Sequence, residues 1–227
     1  MQITSQELFE KLTEYGIVGQ KGEINFVLKD LSIKITSRDT VGNLIQDWLK
    51  QWMMTQTIEF EVNDNPQVFP DIYLNKHNKK EGLLEIKAFD FDRGPGFDLA
   101  NFDSYCNSLL TSAYRLDSDY LIIGYRMVGH EITIAGVWLK KIWEIATSSS
   151  TYPLKVQEKK KIIYNIRPNK WYASGTKYKP FAAKETFLKA LNETRYQYPA
   201  TRFGNAHWLN GVKANYAEHT GTELIIE

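Results

Sequence analysis

The run Tyr120-Leu121-Ile122-Ile123-Gly124-Tyr125 is almost uninterrupted in its apolar character. A strand with one wet face alternates apolar and polar residues. A run without that alternation predicts a strand covered on both faces, and such a strand needs a layer above and below its sheet. The rest of the chain can supply those layers. Residues 4–15 are expected to be helical, with Thr4 or Ser5 as cap and Leu8, Phe9 and Leu12 at helical spacing. Over 40–54, Val41, Leu44, Ile45, Trp48, Leu49, Trp52 and Met53 make one apolar helix face. Further helices are expected at 97–114 and 184–197, with a short one at 140–146. Strands are expected at 24–28 and 31–35, as a hairpin across Lys29-Asp30, and at 58–62, 69–74, 83–89 and 131–139. The pattern predicts an α/β fold with a mixed central sheet flanked by helices.

Two of these strands carry charges in apolar surroundings. Pro70-Asp71 is followed, after thirteen intervening residues, by Glu85-Ile86-Lys87. Alternation puts Glu85 and Lys87 on one face and Ile86 on the other. If Asp71 on the paired strand faces the same side, two carboxylates and an ammonium converge. Charges set among Phe69, Ile72, Leu84, Ile86 and Phe89 are costly unless paired or metal-bound. Two carboxylates beside a backbone carbonyl form a hard oxygen site suited to Mg²⁺, with positions open for water and phosphate. Such an ion polarises a scissile phosphate and acidifies a bound water, and Lys87 can hold that water. The plainer alternative makes Glu85 and Lys87 outward residues of a half-exposed strand. Glu-x-Lys alone is common; Pro-Asp after an aromatic at hairpin distance favours the catalytic reading.

The segments FPDIYL (69–74) and LLEIKAFD (83–90) resemble the signature of the PD-(D/E)xK nuclease superfamily, which includes type II restriction endonucleases, Holliday junction resolvases and repair exonucleases. The resemblance implies a restriction-endonuclease-like fold and phosphodiester hydrolysis. Mg²⁺ would sit at Asp71 and Glu85 with the Ile86 carbonyl as a further ligand, and Lys87 would sit at the nucleophilic water. Members often carry a Glu or Gln on the preceding helix. In VGNLIQDWLKQW (41–52) the candidates are Gln46 and Asp47, and Gln46 lies nearer the polar edge of the apolar face. Either is equally compatible with an ordinary solvated helix face. The longer runs GLLEIKAFDFDRGPGFDLANFDSY (82–105) and LLTSAYRLDSDYLIIGY (109–125), with IYNIRP (163–168) and KPF (179–181), are similar to the NgoBV-like group of type II restriction enzymes. That group implies double-stranded DNA as substrate and a short interrupted palindrome of the GGNNCC kind. Cutting both strands of a palindrome implies a homodimer whose two-fold axis matches the site's.

Charge is distributed unevenly under a formal net of +1. Residues 1–150 hold 15 Lys/Arg against 21 Asp/Glu, whereas 151–216 hold 13 against 3. The change coincides with a Ser/Thr run ending in Pro, residues 147–153, which reads as a soft joint. The expected organisation is a nuclease core with the catalytic hairpin over 1–150, and a basic region for DNA contact over 151–227 packed on it. The basic region interleaves cations with aromatics, which suits a phosphate backbone. Arg167, Lys170, Lys177 and Lys179 are the preferred DNA contacts. Arg167, Arg195 and Arg202 are candidates for bidentate contact with guanine. A solvated Lys-rich surface is the competing reading.

Other classes find less support. The single Cys106 excludes an intrachain disulfide, and His77, His130, His207 and His219 lack close ligand spacing for zinc. Cys106 is expected to be a small buried hydrophobe. No GxxxxGK[ST] loop occurs, so no nucleotide cofactor is expected. The N-terminus lacks the features of a signal peptide, and no apolar run reaches the ~20 residues that span a bilayer, so a cytoplasmic protein is expected. The 90–96 loop reads either as a neighbour of the scissile phosphate or as a plain connection. Asp98 and Asp103 read as surface charges before supports of the site. His207 and Trp208, near 203–205, read as a DNA-facing loop or, more simply, a packed C-terminal segment. Two alternatives to a restriction enzyme remain open: a repair or junction-resolving nuclease with the same site, and a nucleic-acid-binding module with a vestigial one.

Overall fold

Thr4 begins the first helix by a reciprocal cap. Its hydroxyl accepts from the Glu7 N–H at 3.2 Å, while the Glu7 carboxylate accepts from the Thr4 N–H at 2.7 Å. The helix α1 (Ser5–Glu14) buries Leu8 and Leu12, as its spacing predicts. The structure, a computed structural model, describes residues 1–65, 68–202 and 207–226. It divides into two units: Met1–Gly96 with Asp119–Lys140, and Phe97–Ser118 with Lys141–Glu227.

The first unit is built on a six-stranded sheet. Its strands are β1 (Lys21–Glu23), β4 (Glu61–Val62), β5 (Ile72–Tyr73), β6 (Leu83–Asp90), β8 (Asp119–Val128) and β9 (Glu131–Lys141), in the spatial order β1-β9-β8-β6-β5-β4. β6 pairs with β8 in parallel and with β5 antiparallel, so the sheet is mixed as expected. Residues 120–125 of β8 are all buried, in keeping with their apolar run. Gly124 interrupts that run for a steric reason: a Cβ there would lie 3.1 Å from the Trp138 ring. The helix α2 (Val41–Thr55) packs on β6 and buries Val41, Ile45, Leu49, Trp52 and Met53. Leu44 and Trp48, expected on the same face, stay exposed. The separate hairpin β2 (Asn25–Leu28) and β3 (Leu31–Lys34) turns across Lys29-Asp30 as predicted. The strand expected over 58–62 pairs only at Glu61 and Val62. Its first part instead extends the end of α2, where the Ile58 N–H donates to the Met53 carbonyl at 3.0 Å.

The second unit holds a three-stranded sheet, in the order β10-β11-β7, formed by β7 (Ala100–Asn101), β10 (Val156–Lys159) and β11 (Ile162–Ile166). Its helices are α3 (Phe102–Ser108), α4 (Lys184–Gln197) and α5 (Trp208–Thr220). The helix expected over 97–114 is therefore shorter than predicted. Leu99 and Ala100 are drawn into pairing with Ile166, and Asn101 then caps α3 by accepting from the Ser104 N–H at 3.0 Å. The Ser/Thr run 147–153 lies inside this unit, tied down by the Thr147 hydroxyl donating to the Lys179 carbonyl at 2.7 Å. Residues 203–205, named above as part of a candidate loop, fall outside the described residues. Trp208 is buried, and its indole N–H donates to the Cys106 carbonyl at 2.8 Å. Cys106 is itself buried, and burial pushes its thiol up to about 12.

Candidate active site

The β5–β6 pairing sets Ile72 opposite Leu84, which brings Asp71 beside Glu85 at the start of the pair. Asp71 Oδ2 accepts from the Ile86 peptide N–H at 2.8 Å, so this carboxylate lies against the backbone between Glu85 and Lys87. Glu85 Oε1 meets Lys87 Nζ at 2.7 Å, as the alternation along β6 requires. The side chains of Ile72, Leu84 and Ile86 lie in the hydrophobic core and fix the strands that carry these charges. Tyr120 stands opposite Glu85 in the β6–β8 register, and its ring meets Phe69 with centroids 6.5 Å apart. The sequence-predicted Asp71, Glu85, Ile86 and Lys87 are thus gathered in one place.

Their electrostatics are unbalanced. Glu85 is 8% exposed, and among the described residues its buried Oε2 has no hydrogen-bond partner. Burial pushes the Glu85 carboxyl above the ordinary carboxylate range, and the Asp71 charge adds to that. The Lys87 ammonium opposes both without cancelling them. Two carboxyl groups thus share one lysine, and among the described residues one buried carboxyl oxygen has no partner. Hard oxygen donors in that condition fit a divalent cation. Among the described residues no group of three or more His, Cys, Asp or Glu side chains gathers to hold a metal. The protein side chains would therefore supply two carboxylates only, and further ligands would have to be backbone, water or phosphate oxygens.

Gln46 lies half-buried on α2, the helix that packs on β6. Among the described residues no hydrogen bond joins it to Asp71, Glu85 or Lys87. Asp47 is exposed and pairs with Lys50 at 3.3 Å. The 90–96 loop is held by ion pairs: Asp90 with Arg38 at 2.6 Å, and Asp92 with Arg126 at 2.9 Å. That anchoring is what a structural connection requires.

In the second unit, Lys170 and Lys177 line a cleft of about 370 Å³ together with Lys155, Ser149 and Ser150. Burial, and then the neighbouring charges of Arg167 and Lys170, hold the Lys155 ammonium below its ordinary value. The Ser/Thr run that reads as a linker in the sequence is therefore a wall of a cationic cleft. Arg167 is half-buried and bound to Asp98, which also accepts from Asn165 at 2.8 Å. Lys179 and Arg202 are exposed. Arg195 is placed otherwise than expected of a base reader. It is buried, with its guanidinium 5.0 Å over the Trp208 ring.

A mixed sheet flanked by helices, with two carboxylates and a lysine converging on adjacent strands, is the architecture of the restriction-endonuclease-like proteins. The comparison with known proteins is more specific. The family described as NgoBV restriction endonuclease matches residues 2–227. The type II restriction enzyme NlaIV of Neisseria lactamica is 40% identical over 229 residues, covering 100% of this chain and 94% of the relative. The type II restriction enzyme NgoBV of Neisseria gonorrhoeae is 38% identical over 162 residues, covering 70% of this chain and 92% of the relative. Among solved structures, the NlaIV restriction endonuclease superposes with a TM-score of 0.95 at 39% identity, covering 100% of this chain and 94% of that one. The chain belongs to the NgoBV restriction endonuclease family, and its class of activity is that of a type II restriction endonuclease.

Proposed function

We propose that this enzyme hydrolyses phosphodiester bonds of double-stranded DNA within a short interrupted palindrome of the GGNNCC kind, with Mg²⁺ at Asp71 and Glu85. One observation carries the reading: a buried Glu85 oxygen, unpartnered among the described residues, beside a second carboxylate, with a lysine on the same face. Bound by Asp71, Glu85 and the Ile86 carbonyl, the metal would polarise the scissile phosphate and lower the pKa of the attacking water. Asp71 is positioned by the Ile86 N–H, which donates to one of its carboxylate oxygens. Lys87, held by Glu85, donates a hydrogen bond to the attacking water and offsets the negative charge that grows on the phosphate oxygens. The water oxygen bonds to phosphorus as one ester P–O bond breaks. Gln46, on the neighbouring helix, is assigned to the polar edge of this site.

The basic segment 151–227 is assigned to DNA contact, with Arg167, Lys170, Lys177, Lys179 and Arg202 as the residues involved. Support comes from the cleft at Lys155, where clustered cations favour an anionic occupant such as a backbone phosphate. A homodimer would present two such sites to the two strands of a palindrome. Among the described residues no helix is long and apolar enough to cross a membrane. The enzyme is assigned to the cytoplasm, where it would meet incoming DNA.

Plasmid DNA incubated with the protein and Mg²⁺ is expected to give discrete bands that vanish in EDTA. A smear, or cutting confined to branched DNA, would replace the restriction reading with a repair nuclease. A gel shift without cutting in any divalent metal would remove the catalytic assignment of Asp71, Glu85 and Lys87.

A further inference from the structure

Past the catalytic lysine, the strand β6 runs into an aromatic group that carries an exposed arginine. Trp138 on β9 lies across the sheet. A Cβ at Gly136 would come within 2.5 Å of its ring, and one at Gly124 on β8 within 3.1 Å. Two adjacent strands thus carry glycine where the indole crosses them. Phe91 stacks on that indole, with the rings 2° from parallel and their centroids 6.2 Å apart. The Arg126 guanidinium sits 4.7 Å over the Phe91 ring, and its Nε donates to Asp92 Oδ1 at 2.9 Å. The Phe91 N–H donates to the Tyr125 carbonyl at 2.7 Å, which keeps the chain after β6 beside Arg126.

An arginine side chain in water samples many rotamers, and fixing it costs entropy. This one is held at its face by Phe91 and at its edge by Asp92. Its side chain nevertheless stays 48% exposed and that of Asp92 65%. Among the described residues the two terminal nitrogens of Arg126 make no hydrogen bond. The pair is electrically balanced, so a phosphate drawn to the guanidinium would also meet the Asp92 carboxylate, and like charges repel. A base edge carries no net charge. In the major groove guanine offers two acceptors, O6 and N7, and its cytosine offers one donor at N4. Two aimed donors beside a carboxylate are the complement of that pattern.

The register of the sheet sets the distance to the chemistry. Lys87 stands opposite Ile122 in the β6–β8 pair. Arg126 lies four residues further along β8 on the same face, about 13 Å along the strand. At 3.4 Å per base pair that is about four base pairs, comparable to the half-site of a short palindrome. We propose that Arg126 reads a guanine of the cleavage site, donating through its terminal nitrogens to O6 and N7, while Asp92 accepts from the N4 of the paired cytosine. The proposal rests on the reading of the enzyme as a nuclease that cuts at a G·C-containing palindrome, and it names residues that choose that sequence.

Plasmid DNA cut in Mg²⁺ by the wild type and by Arg126→Ala, with the ends sequenced, tests it. The wild-type ends test the GGNNCC reading, and the difference between the two sets tests Arg126, so the two failures are distinct. Arg126→Ala is expected to lose selectivity about 10- to 100-fold at one G·C pair of each half-site and to keep it elsewhere. Asp92→Ala is expected to relax the same pair. So is Arg126→Lys, which keeps the charge and loses the fork. Far-UV circular dichroism should stay unchanged, because both side chains are exposed. An Arg126→Ala variant that is slowed on all sequences alike, with the slope of log affinity against log salt lowered by about one, would make Arg126 a phosphate contact and overturn the proposal. Ends identical to those of the wild type, or selectivity retained by Arg126→Lys, overturn it as well. A second measurement addresses the base atom. 7-Deazaguanine, which lacks N7, at the relaxed position should slow the wild type about tenfold and leave Arg126→Ala unaffected. Equal slowing of both overturns the contact.

Discussion

Replacing Glu85 by Gln should stabilise the metal-free fold while abolishing cleavage. In the folded chain the Glu85 carboxyl is almost wholly buried, one oxygen has no partner among the described residues, and a second carboxyl stands beside it. Leaving a buried polar atom unsatisfied costs about 1–3 kcal/mol. Gln keeps the shape, removes the charge and still offers Lys87 an oxygen, so the expected net gain is about 1 kcal/mol. For a chain of this size that is a rise in Tm of about 2–4 °C. The sign with pH follows from the raised folded pKa. The stability Glu85 contributes is fully present below its unfolded value, near 4.5, and is lost as pH rises through the higher folded value. The advantage of Glu85→Gln should therefore be small in acid and grow towards neutral pH. Metal reverses the ranking. At a hundred times its Kd, Mg²⁺ should stabilise the wild type by about 2.7 kcal/mol and the variant hardly at all. Thermal melts in EDTA and in Mg²⁺, across pH, read all of this. A variant that melts below the wild type in EDTA at neutral pH, or that keeps the full metal-induced shift, would refute the reasoning.

Other substitutions separate chemistry, contact and structure. Lys87→Ala should slow cleavage by about 100-fold or more while leaving DNA affinity near wild type; undiminished cutting removes Lys87 from the mechanism. Lys170→Ala and Lys177→Ala should each lower the slope of log affinity against log salt by about one and weaken all sequences alike. A loss confined to the cognate site would make them base readers instead. Arg195→Ala should destabilise the fold by about 3 kcal/mol, because its guanidinium is buried against Trp208, with site selectivity unchanged. Relaxed selectivity in a stably folded variant would contradict that placement.

The parts of the fold legible in the sequence are those where local and tertiary signals agree. A Thr4 or Ser5 cap and the spacing of Leu8, Phe9 and Leu12 mark α1 in the sequence, and the apolar run at 120–125 marks the buried strand. The hairpin of β10 and β11 was not foreseen because its turn is made by Lys160 and Lys161, with φ of 52° and 63°. Glycine or asparagine usually marks such a turn. The helix α5 was hidden by Gly211, a weak helix former at a position where a Cβ would come within 2.9 Å of the Leu110 side chain. Close packing explains the glycine, and only the tertiary structure reveals that packing. The helix expected at 97–114 lost its first turn to pairing with β11, a strand more than sixty residues away that no local window contains.

The candidate site was legible for a different reason. Asp71, Glu85 and Lys87 violate the rule that buried strands are apolar, and a violation is visible without knowing the fold. Strand alternation then gave the Glu85–Lys87 contact, and a hairpin gave Asp71 its place. What could not be read was the support around them. The Ile86 N–H that orients Asp71 is a backbone group common to every residue, and nothing in the side-chain pattern points to it. The cationic cleft was half visible. Its lysines stood out, but its other wall is the Ser/Thr run that composition alone assigns to a linker. Small hydroxyl residues are ambiguous in sequence because the same short side chains that suit a flexible joint also suit a wall that admits a phosphate. A charge amid apolar neighbours carries no such ambiguity, and this is why Asp71, Glu85 and Lys87 could be placed before the cleft could.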